Sequence, residues 1–273
     1  MTDRYAVIGN PVAHSRSPDI HAAFARATGQ DIEYLKLLAP LEGFAAAVAS
    51  FRESGGRGAS ITVPFKEEAF RLSGVLSDRA RRAGAVNTLL INPDRIVGDN
   101  TDGAGLVSDL LQNLGIAIAG KRILLVGAGG AARGVLGPLL DEKPATVDIA
   151  NRSAARAAEL AAHFAGVAAD TLAVASFAAL SGRRFDIVIN ATAASLAGVA
   201  PDLPEAIYAE GALAYDLMYS SGDTPFMAQA RAQGAQVADG LGMLVEQAAE
   251  AFLLWRGVRP ATASVLQALR RAL

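Results

Sequence analysis

The sequence predicts an α/β protein of two units, each with a mainly parallel sheet covered by helices. The first observation behind this is that short apolar segments alternate with segments of helical apolar spacing along the 273 residues. The second is the segment 124–133, which reads as a buried strand turning through glycines into a helix. The third is a change of pattern near residues 100–103, which indicates a boundary between the units.

Composition limits the class of protein. With 52% apolar residues the chain can bury a large core, and its net charge of −2 comes from interspersed acids and bases. Neither a basic face for nucleic acid nor a polybasic membrane anchor is therefore expected. With no cysteine and three histidines, we expect no disulfides, no thiolate chemistry and no metal site. The predicted partner is a small-molecule substrate.

The first residues lack a basic segment followed by an apolar one, which predicts no leader sequence. No run of about 18 apolar residues occurs in the chain. We therefore expect no membrane association and a cytoplasmic location.

In the first unit, apolar runs predict strands at 5–8, 32–37 and 58–63. Helical spacing predicts helices at 18–28, at 41–54 and from Lys66 onward. Residues 85–91 and 95–98 look like a hairpin about Asn92-Pro93-Asp94. One long helix, 104–114, is predicted to follow.

In the second unit, strands are predicted at 122–127, 146–150, 185–190, 212–216 and 236–237, with a helix at 154–164. The terminal helices, 243–256 and 261–271, are expected to pack back on the first unit. The predicted domains are therefore 1–103, 104–238 and the helical segment 239–273. The active site is expected in a cleft between the units, at the carboxyl ends of strands.

The glycine turn is typical of a Rossmann-type, doubly wound nucleotide-binding unit. Gly127 permits the tight turn, Gly129 lets backbone N–H groups approach a pyrophosphate, and Ala132 allows close packing of helix on strand. The positive end of the helix then faces the anion. Alternatively, the turn serves packing only. The predicted cofactor-binding turn comprises Gly127, Ala128, Gly129, Gly130 and Ala131.

The next strand favours NADP over NAD. An NAD site usually has an acidic residue roughly 20 residues after the glycines, at the end of this strand. Here the strand runs into Ala150-Asn151-Arg152-Ser153, and Arg152 offers a planar cation suited to a 2′-phosphate. Alternatively, Asn151 and Ser153 cap the following helix and Arg152 is solvated. Both interpretations can hold together.

Lys66 is the leading candidate for chemistry in the first unit. The chain has 21 arginines but four lysines, and Lys66 follows Pro64-Phe65 directly after an apolar strand. An ammonium held there can protonate or polarise a carbonyl oxygen, and Asp102 can hold it in place. The alternatives are a solvated first-turn lysine and an Asp102 that only caps its helix.

Other polar residues at strand ends or helix starts can read a ligand. Ser15 and Ser17, just before Pro18 begins a helix, can both donate to a carboxylate, although Ser17 can instead be a helix N-cap. Asn87 and Asn100 are candidate amide partners for hydroxyl groups.

The C-terminal helix that opens at Gly240-Leu241-Gly242 carries two further candidates. Met243 and Gln247 are four residues apart and share one face. The polar Gln247 can reach a ligand, whereas a methionine at such a position is more often packing.

Taken together, these motifs resemble the shikimate dehydrogenase family over essentially the whole chain. The motifs that carry the resemblance are Val7-Ile8-Gly9-Asn10-Pro11, Ser15-Arg16-Ser17-Pro18, Thr62-Val63-Pro64-Phe65-Lys66, Ala83-Gly84-Ala85-Val86-Asn87-Thr88, Gly98-Asp99-Asn100-Thr101-Asp102-Gly103, Gly127-Ala128-Gly129-Gly130-Ala131-Ala132, Asn151-Arg152-Ser153, Asn190-Ala191-Thr192, Tyr215-Asp216-Leu217-Met218-Tyr219 and Gly240-Leu241-Gly242-Met243-Leu244-Val245-Glu246-Gln247.

The resemblance implies reversible, NADPH-dependent reduction of 3-dehydroshikimate to shikimate in aromatic amino-acid biosynthesis. It implies Lys66 and Asp102 as the catalytic pair. The substrate-binding residues that it implies are Ser15, Ser17, Thr62, Asn87, Tyr219 and Gln247. The cofactor-binding residues that it implies beyond the glycine turn are Asn151, Arg152, Thr192, Met218, Gly240 and Met243.

Two departures from the family pattern are mild. The segment after Asn190-Ala191-Thr192 usually continues with serine and a glycine-containing turn, whereas here Ala193-Ala194-Ser195 follows, and Ser153 replaces the commoner threonine. Two alternatives stay open: a catabolic relative acting on quinate or with NAD, and a non-catalytic NADP-binding sensor. Family members include monomers and homodimers, so either state is expected.

Overall fold

The computed structural model describes residues 2–168 and 170–273, and the chain divides into two compact units. Unit 1 comprises residues 2–105 together with Leu244–Ala272, and unit 2 comprises Leu106–Met243. Both divisions fall inside helices, a few residues after the boundaries predicted from the sequence at 103/104 and 238/239.

Unit 1 is built on a six-stranded mixed sheet. The elements up to the first division are β1 (Asp3–Gly9), α1 (Ser17–Thr28), β2 (Ile32–Leu38), α2 (Phe44–Glu53), β3 (Gly56–Ile61), α3 (Lys66–Leu72), β4 (Val75–Leu76), α4 (Asp78–Ala83), β5 (Thr88–Ile91), β6 (Ile96–Asp99) and α5 (Asp102–Ser108). The strand order is β2-β1-β3-β5-β6-β4. β1 runs parallel to β2 and β3, whereas β5 is antiparallel to β3. β5 is also antiparallel to β6, because a short hairpin joins these two strands.

Two predictions in this part of the chain were wrong in detail. The strand predicted at 85–91 begins only at Thr88, because the Val86 amide donates to the Lys66 carbonyl of α3 and not to a strand. The helix predicted at 104–114 is α-helical only to Ser108 and continues as a π-helical turn over Asp109–Asn113. There the Leu114 amide donates to the Asp109 carbonyl, five residues back.

Unit 2 is built on a six-stranded, fully parallel sheet of order β12-β11-β10-β7-β8-β9. Its elements are β7 (Arg122–Val126), α6 (Gly130–Asp141), β8 (Thr146–Ala150), α7 (Ala154–Ala168), β9 (Leu172–Ala175), β10 (Phe185–Asn190), β11 (Tyr208–Asp216), α8 (Pro225–Ala232) and β12 (Gln236–Asp239). The last two helices of the chain, α9 (Leu241–Arg256) from Leu244 onward and α10 (Ala263–Arg271), belong to unit 1. The order reverses between β7 and β10, which is where doubly wound sheets bind ligands. The predicted two-unit α/β fold with a Rossmann-type unit is thus confirmed.

Apolar side chains cover both sheets. In unit 1, Trp255 of α9 stacks on Tyr5 with ring centroids 4.8 Å apart, and its indole N–H donates to the Leu89 carbonyl at 3.0 Å. A Cβ on Gly58 would lie 2.5 Å from the Trp255 nitrogen, so a glycine is needed beneath the indole. In unit 2, both faces of the sheet carry a cluster of fully buried aliphatic residues. Within the described residues, no helix combines the length and apolar character needed to cross a membrane.

Candidate active site

Lys66 and Asp102 form a shielded ion pair in unit 1. Lys66 is the first residue of α3 and Asp102 the first of α5, and their Nζ and Oδ2 atoms lie 2.5 Å apart. Their side chains are only 14% and 7% exposed, so Lys66 is not a solvated lysine. The preceding Phe65 is buried and stacks on Phe44, which fixes the start of α3. A cation held in this way can act on a ligand oxygen with little reorganisation.

Asn87 organises the groups around this pair. Its amide nitrogen donates to Asp102 Oδ1 at 2.9 Å and to Gln247 Oε1 at 3.2 Å, while its oxygen accepts from the Thr101 amide at 2.8 Å. Both carboxylate oxygens of Asp102 are therefore engaged, one by Lys66 and one by Asn87. The structure thus gathers four predicted site residues and adds Thr101, whose hydroxyl lies 3.2 Å from Gln247 Oε1.

Asn100 supports the site from within the protein. It is 2% exposed, its amide nitrogen donates to the Ala85 carbonyl at 2.9 Å, and its oxygen accepts from the Asp102 amide at 3.1 Å. Both ends of its side-chain amide are thus used internally. These two bonds fix the backbone at Asp102, and the role of Asn100 as a partner for ligand hydroxyls stays a prediction.

Arg79 and Asp99 brace the same segment, and sequence reasoning missed them. Two guanidinium nitrogens of Arg79 each donate to one oxygen of Asp99 at 2.7 Å, and a third approaches Glu250 of α9 at 3.3 Å. Burial raises the pKa of Asp99, but the hydrogen bonds and charge of Arg79 outweigh it and hold that pKa below its usual value. The anchored carboxylate of Asp99 also accepts a hydrogen bond from the backbone N–H of Asn100. It thereby fixes the backbone just before Asp102.

Ser15 and Ser17 are brought together at the start of α1. Their hydroxyl oxygens lie 3.2 Å apart, and Ser17 is 4% exposed. Arg16 occupies the N-cap position and Ser17 is the first helical residue, so the alternative of Ser17 as an N-cap is wrong. Its hydroxyl is thus not committed to the helix start.

Thr62 follows β3 directly, beside the end of β1. Its amide donates to the Ile8 carbonyl at 3.0 Å, and a Cβ on Gly9 would lie 2.3 Å from the Thr62 methyl carbon. Gly9 is needed for this close approach, which holds Thr62 at the carboxyl ends of the two strands.

In unit 2, the glycine turn has the geometry that an anion requires. Gly127 has φ +119°, and a Cβ there would lie 3.1 Å from the Ala191 carbonyl group. Gly129 is the N-cap of α6 and brings no side chain, and a Cβ on it would meet no described atom within 4 Å. The space beside Gly129 is therefore open at the start of α6, where helix N–H groups lack intrahelical partners, and this fits a dinucleotide pyrophosphate.

The end of β8 fits a 2′-phosphate better than a ribose hydroxyl. Asp148, the one acidic residue of this strand, is fully buried and accepts from Arg183 at 2.7 Å. Arg152 is exposed beyond the strand, and the Asn151 side chain donates to the Ser153 carbonyl at 3.0 Å. Arg156, four residues after Arg152, adds a second exposed cation that sequence reasoning missed.

Asp216, at the end of β11, ties together the loops that carry the other predicted cofactor residues. Its fully buried carboxylate accepts from the Asn190 amide at 3.2 Å, the Met218 backbone at 3.0 Å, the Ser195 hydroxyl at 2.7 Å and the Thr224 hydroxyl at 2.6 Å. Ser195 belongs to the segment that departs from the family pattern, and here it has a defined partner.

The remaining predicted residues of unit 2 each have a defined place in the structure. The Thr192 hydroxyl donates to Asn190 Oδ1 at 2.7 Å. The Gly240 amide donates to the Met218 carbonyl at 3.0 Å. Met243 is 7% exposed within the core of unit 2, and Tyr219 is half-buried in the segment after β11.

Family models match most of the chain. Residues 7–89 match the shikimate dehydrogenase substrate binding domain, 109–213 match shikimate / quinate 5-dehydrogenase, and 240–270 match the shikimate 5′-dehydrogenase C-terminal domain. Shikimate dehydrogenase (NADP(+)) of Aromatoleum aromaticum is 64% identical over 99% of this chain and 98% of its own length.

Solved structures agree with this result. An Ael1 enzyme from Pseudomonas putida superposes with a TM-score of 0.89 at 48% identity, covering 98% of both chains. Shikimate 5-dehydrogenase from Thermus thermophilus, solved with NADP(H) and shikimate, superposes with a TM-score of 0.88 at 36% identity over 100% of both chains. The chain therefore belongs to the shikimate dehydrogenase family.

Proposed function

We propose that this protein is an NADP-dependent shikimate dehydrogenase, which interconverts 3-dehydroshikimate and shikimate in aromatic amino-acid biosynthesis. The observation that carries the proposal is the shielded Lys66–Asp102 pair, held by Asn87 in a chain that matches this family along its length. An oxidoreductase of this kind needs one placed acid beside a carbonyl oxygen, and the pair supplies it.

The reaction in the reducing direction forms one C–H and one O–H bond and breaks the carbonyl π bond. NADPH, when bound, supplies the hydride that reaches the carbonyl carbon. The Lys66 ammonium stabilises the negative charge that develops on the oxygen and donates the proton that makes it a hydroxyl. Asp102 orients the ammonium and accepts a hydrogen bond from a ring hydroxyl.

Polar side chains of unit 1 supply the rest of the substrate contacts in this proposal. Ser15 and Ser17 bind the substrate carboxylate at the start of α1. Thr62, Asn87 and Gln247 bind the carboxylate or the ring hydroxyls. Tyr219, from unit 2, is proposed as a further substrate contact.

Unit 2 holds NADP in this proposal. The backbone from Gly127 to Ala131 binds the pyrophosphate, and Asn151 with Arg152 binds the 2′-phosphate. The proposed contacts with the rest of the cofactor are Thr192, Met218, Gly240 and Met243. The Asp216 carboxylate fixes the two loops that carry Thr192 and Met218.

One alternative has specific support. The model that matches residues 109–213 is described for shikimate and quinate together, so a catabolic relative that oxidises quinate is the second candidate. A non-catalytic sensor is disfavoured, because an ion pair shielded from water costs desolvation free energy, and the Lys66 ammonium has no described partner besides Asp102.

The test is the initial rate of oxidation of shikimate and of quinate, each with NADP and with NAD, followed at the absorbance of the reduced nicotinamide. We expect fast turnover confined to shikimate with NADP. Comparable rates with quinate or NAD would establish the catabolic alternative. No turnover in any combination, from protein that binds NADP, would overturn the enzymatic proposal.

A further inference from the structure

Tyr34 lies beside the proposed carboxylate-binding serines, although no motif singled it out. It is in β2, and its hydroxyl donates to Ser60 Oγ at 2.8 Å. The Ser17 side chain approaches the same hydroxyl, which partly offsets the effect of burial on the pKa of Tyr34. Ser17 and Ser60 are 4% and 7% exposed and Tyr34 is half-buried, so the two serine hydroxyls are shielded from bulk water.

The ring of Tyr34 is fixed by its neighbours. It stacks on His21 with centroids 4.3 Å apart and an interplanar angle of 5°, and Trp255 lies at 6.2 Å. His21 is one helical turn after Ser17 on α1, so one face of that helix places both residues against Tyr34.

His21 offers Tyr34 no polar alternative. It is completely buried, and neither ring nitrogen has a hydrogen-bond partner among the described residues. Burial lowers the pKa of His21 to about 3, so the imidazole is neutral near pH 7. Burial also raises the pKa of Tyr34, which keeps its phenol protonated. The Tyr34 hydroxyl therefore has its hydrogen bond with Ser60, and the Ser17 side chain lies beside it.

We propose that Tyr34 is a positioning residue for the substrate carboxylate, acting through Ser17; this rests on the proposed function. When a bound anion accepts a hydrogen bond from the Ser17 hydroxyl, Ser17 Oγ can in turn accept a hydrogen bond from Tyr34. The Tyr34 oxygen can then accept a hydrogen bond from the Ser60 hydroxyl. All three hydroxyls then point along one chain toward the anion, and successive hydrogen bonds in such a chain strengthen one another. No proton leaves its own oxygen in this arrangement.

The first test is Tyr34→Phe, which keeps the ring on His21 and removes only the hydroxyl. We expect the KM for shikimate to rise about tenfold, because the hydrogen bond from Ser17 to the charged carboxylate of the substrate becomes weaker. The values of kcat and of the KM for NADP should stay within about twofold of wild type. Tyr5→Phe is the matched control, because Tyr5 also stacks on Trp255 and its hydroxyl is contacted by Arg256, away from Ser17. The control should keep the wild-type KM.

The second test is a double-mutant cycle with Ser17→Ala. If Tyr34 acts through Ser17, adding Tyr34→Phe to Ser17→Ala raises the KM for shikimate no further. An unchanged KM in Tyr34→Phe, or additive effects in the double variant, would overturn the inference. A drop in Tm with parallel changes in both KM values and kcat would assign Tyr34 a packing role and overturn it as well.

The wild-type enzyme separates this inference from the proposed function. If the wild-type protein oxidises shikimate and the Tyr34→Phe variant has the same KM, the proposed function stands and the positioning role of Tyr34 is refuted. A wild-type protein that never oxidises shikimate would refute both.

Discussion

Replacing Lys66 with methionine is expected to lower kcat about 10³-fold, because general acid catalysis and charge stabilisation at the carbonyl oxygen are both lost. Methionine keeps the length and apolar stem of the side chain, and Asp102 keeps its hydrogen bond from Asn87. The KM values for shikimate and NADP should change by less than about fivefold, since the ammonium acts mainly in the transition state. Steady-state kinetics and a Tm measurement check both points.

Lys121→Met is the matched control for this variant. Lys121 lies in unit 2, just before β7, outside the Lys66–Asp102 site. It should retain wild-type kcat. A Lys66→Met protein with wild-type Tm and wild-type kcat would contradict the catalytic assignment.

Replacing Arg152 with aspartate is expected to reverse the cofactor preference. The ratio of kcat/KM with NADP to kcat/KM with NAD should fall about 10²-fold or more. The variant loses the cation proposed for the 2′-phosphate and places a carboxylate there, which repels the phosphate of NADP and does not affect NAD. Oxidation of shikimate with each cofactor gives the ratio, and kcat with saturating NADP should change little.

Arg95→Asp makes the same charge change at an exposed position in the hairpin between β5 and β6 of unit 1. It should leave the cofactor ratio unchanged. If Arg152→Asp also leaves the ratio unchanged, the phosphate is bound elsewhere, and the contribution of Arg156 becomes the next question.

Features defined by local sequence were predictable. The glycine turn, the missing acid after β8 and the polar residues at the ends of β3 and before α1 each follow from a few neighbouring residues with known conformational preferences. The parallel sheet of unit 2 follows from the regular alternation of strands and helices.

Features that depend on distant partners were not predictable. Nothing near Asp216 in the sequence indicates that Asn190 and Ser195 donate to it, because they belong to the end of β10 and the segment that follows, more than 20 residues away. The bidentate contact of Arg79 with Asp99 likewise joins α4 to β6.

The π-helical turn after Ser108 was also not predictable from the sequence. The π-helical turn allows the buried Asp109 carboxylate to accept from the Tyr215 hydroxyl at 2.6 Å. A Cβ on Gly242 would lie 1.8 Å from that carboxylate, so the contact also requires a glycine far along the chain. No periodic pattern near residue 109 encodes such a requirement.

The most direct test of the central claim, that Lys66 and Asp102 act as one catalytic unit, is a double-mutant cycle on the chemical step. The measurement is the single-turnover rate of NADPH oxidation by 3-dehydroshikimate, with both ligands saturating, in wild type, Lys66→Met, Asp102→Asn and the double variant. The expected result is that each single variant slows the step by about 10² to 10³ and that the double variant is no slower than Lys66→Met alone. Independent, multiplying effects of the two substitutions, or wild-type rates in either single variant, would contradict the claim.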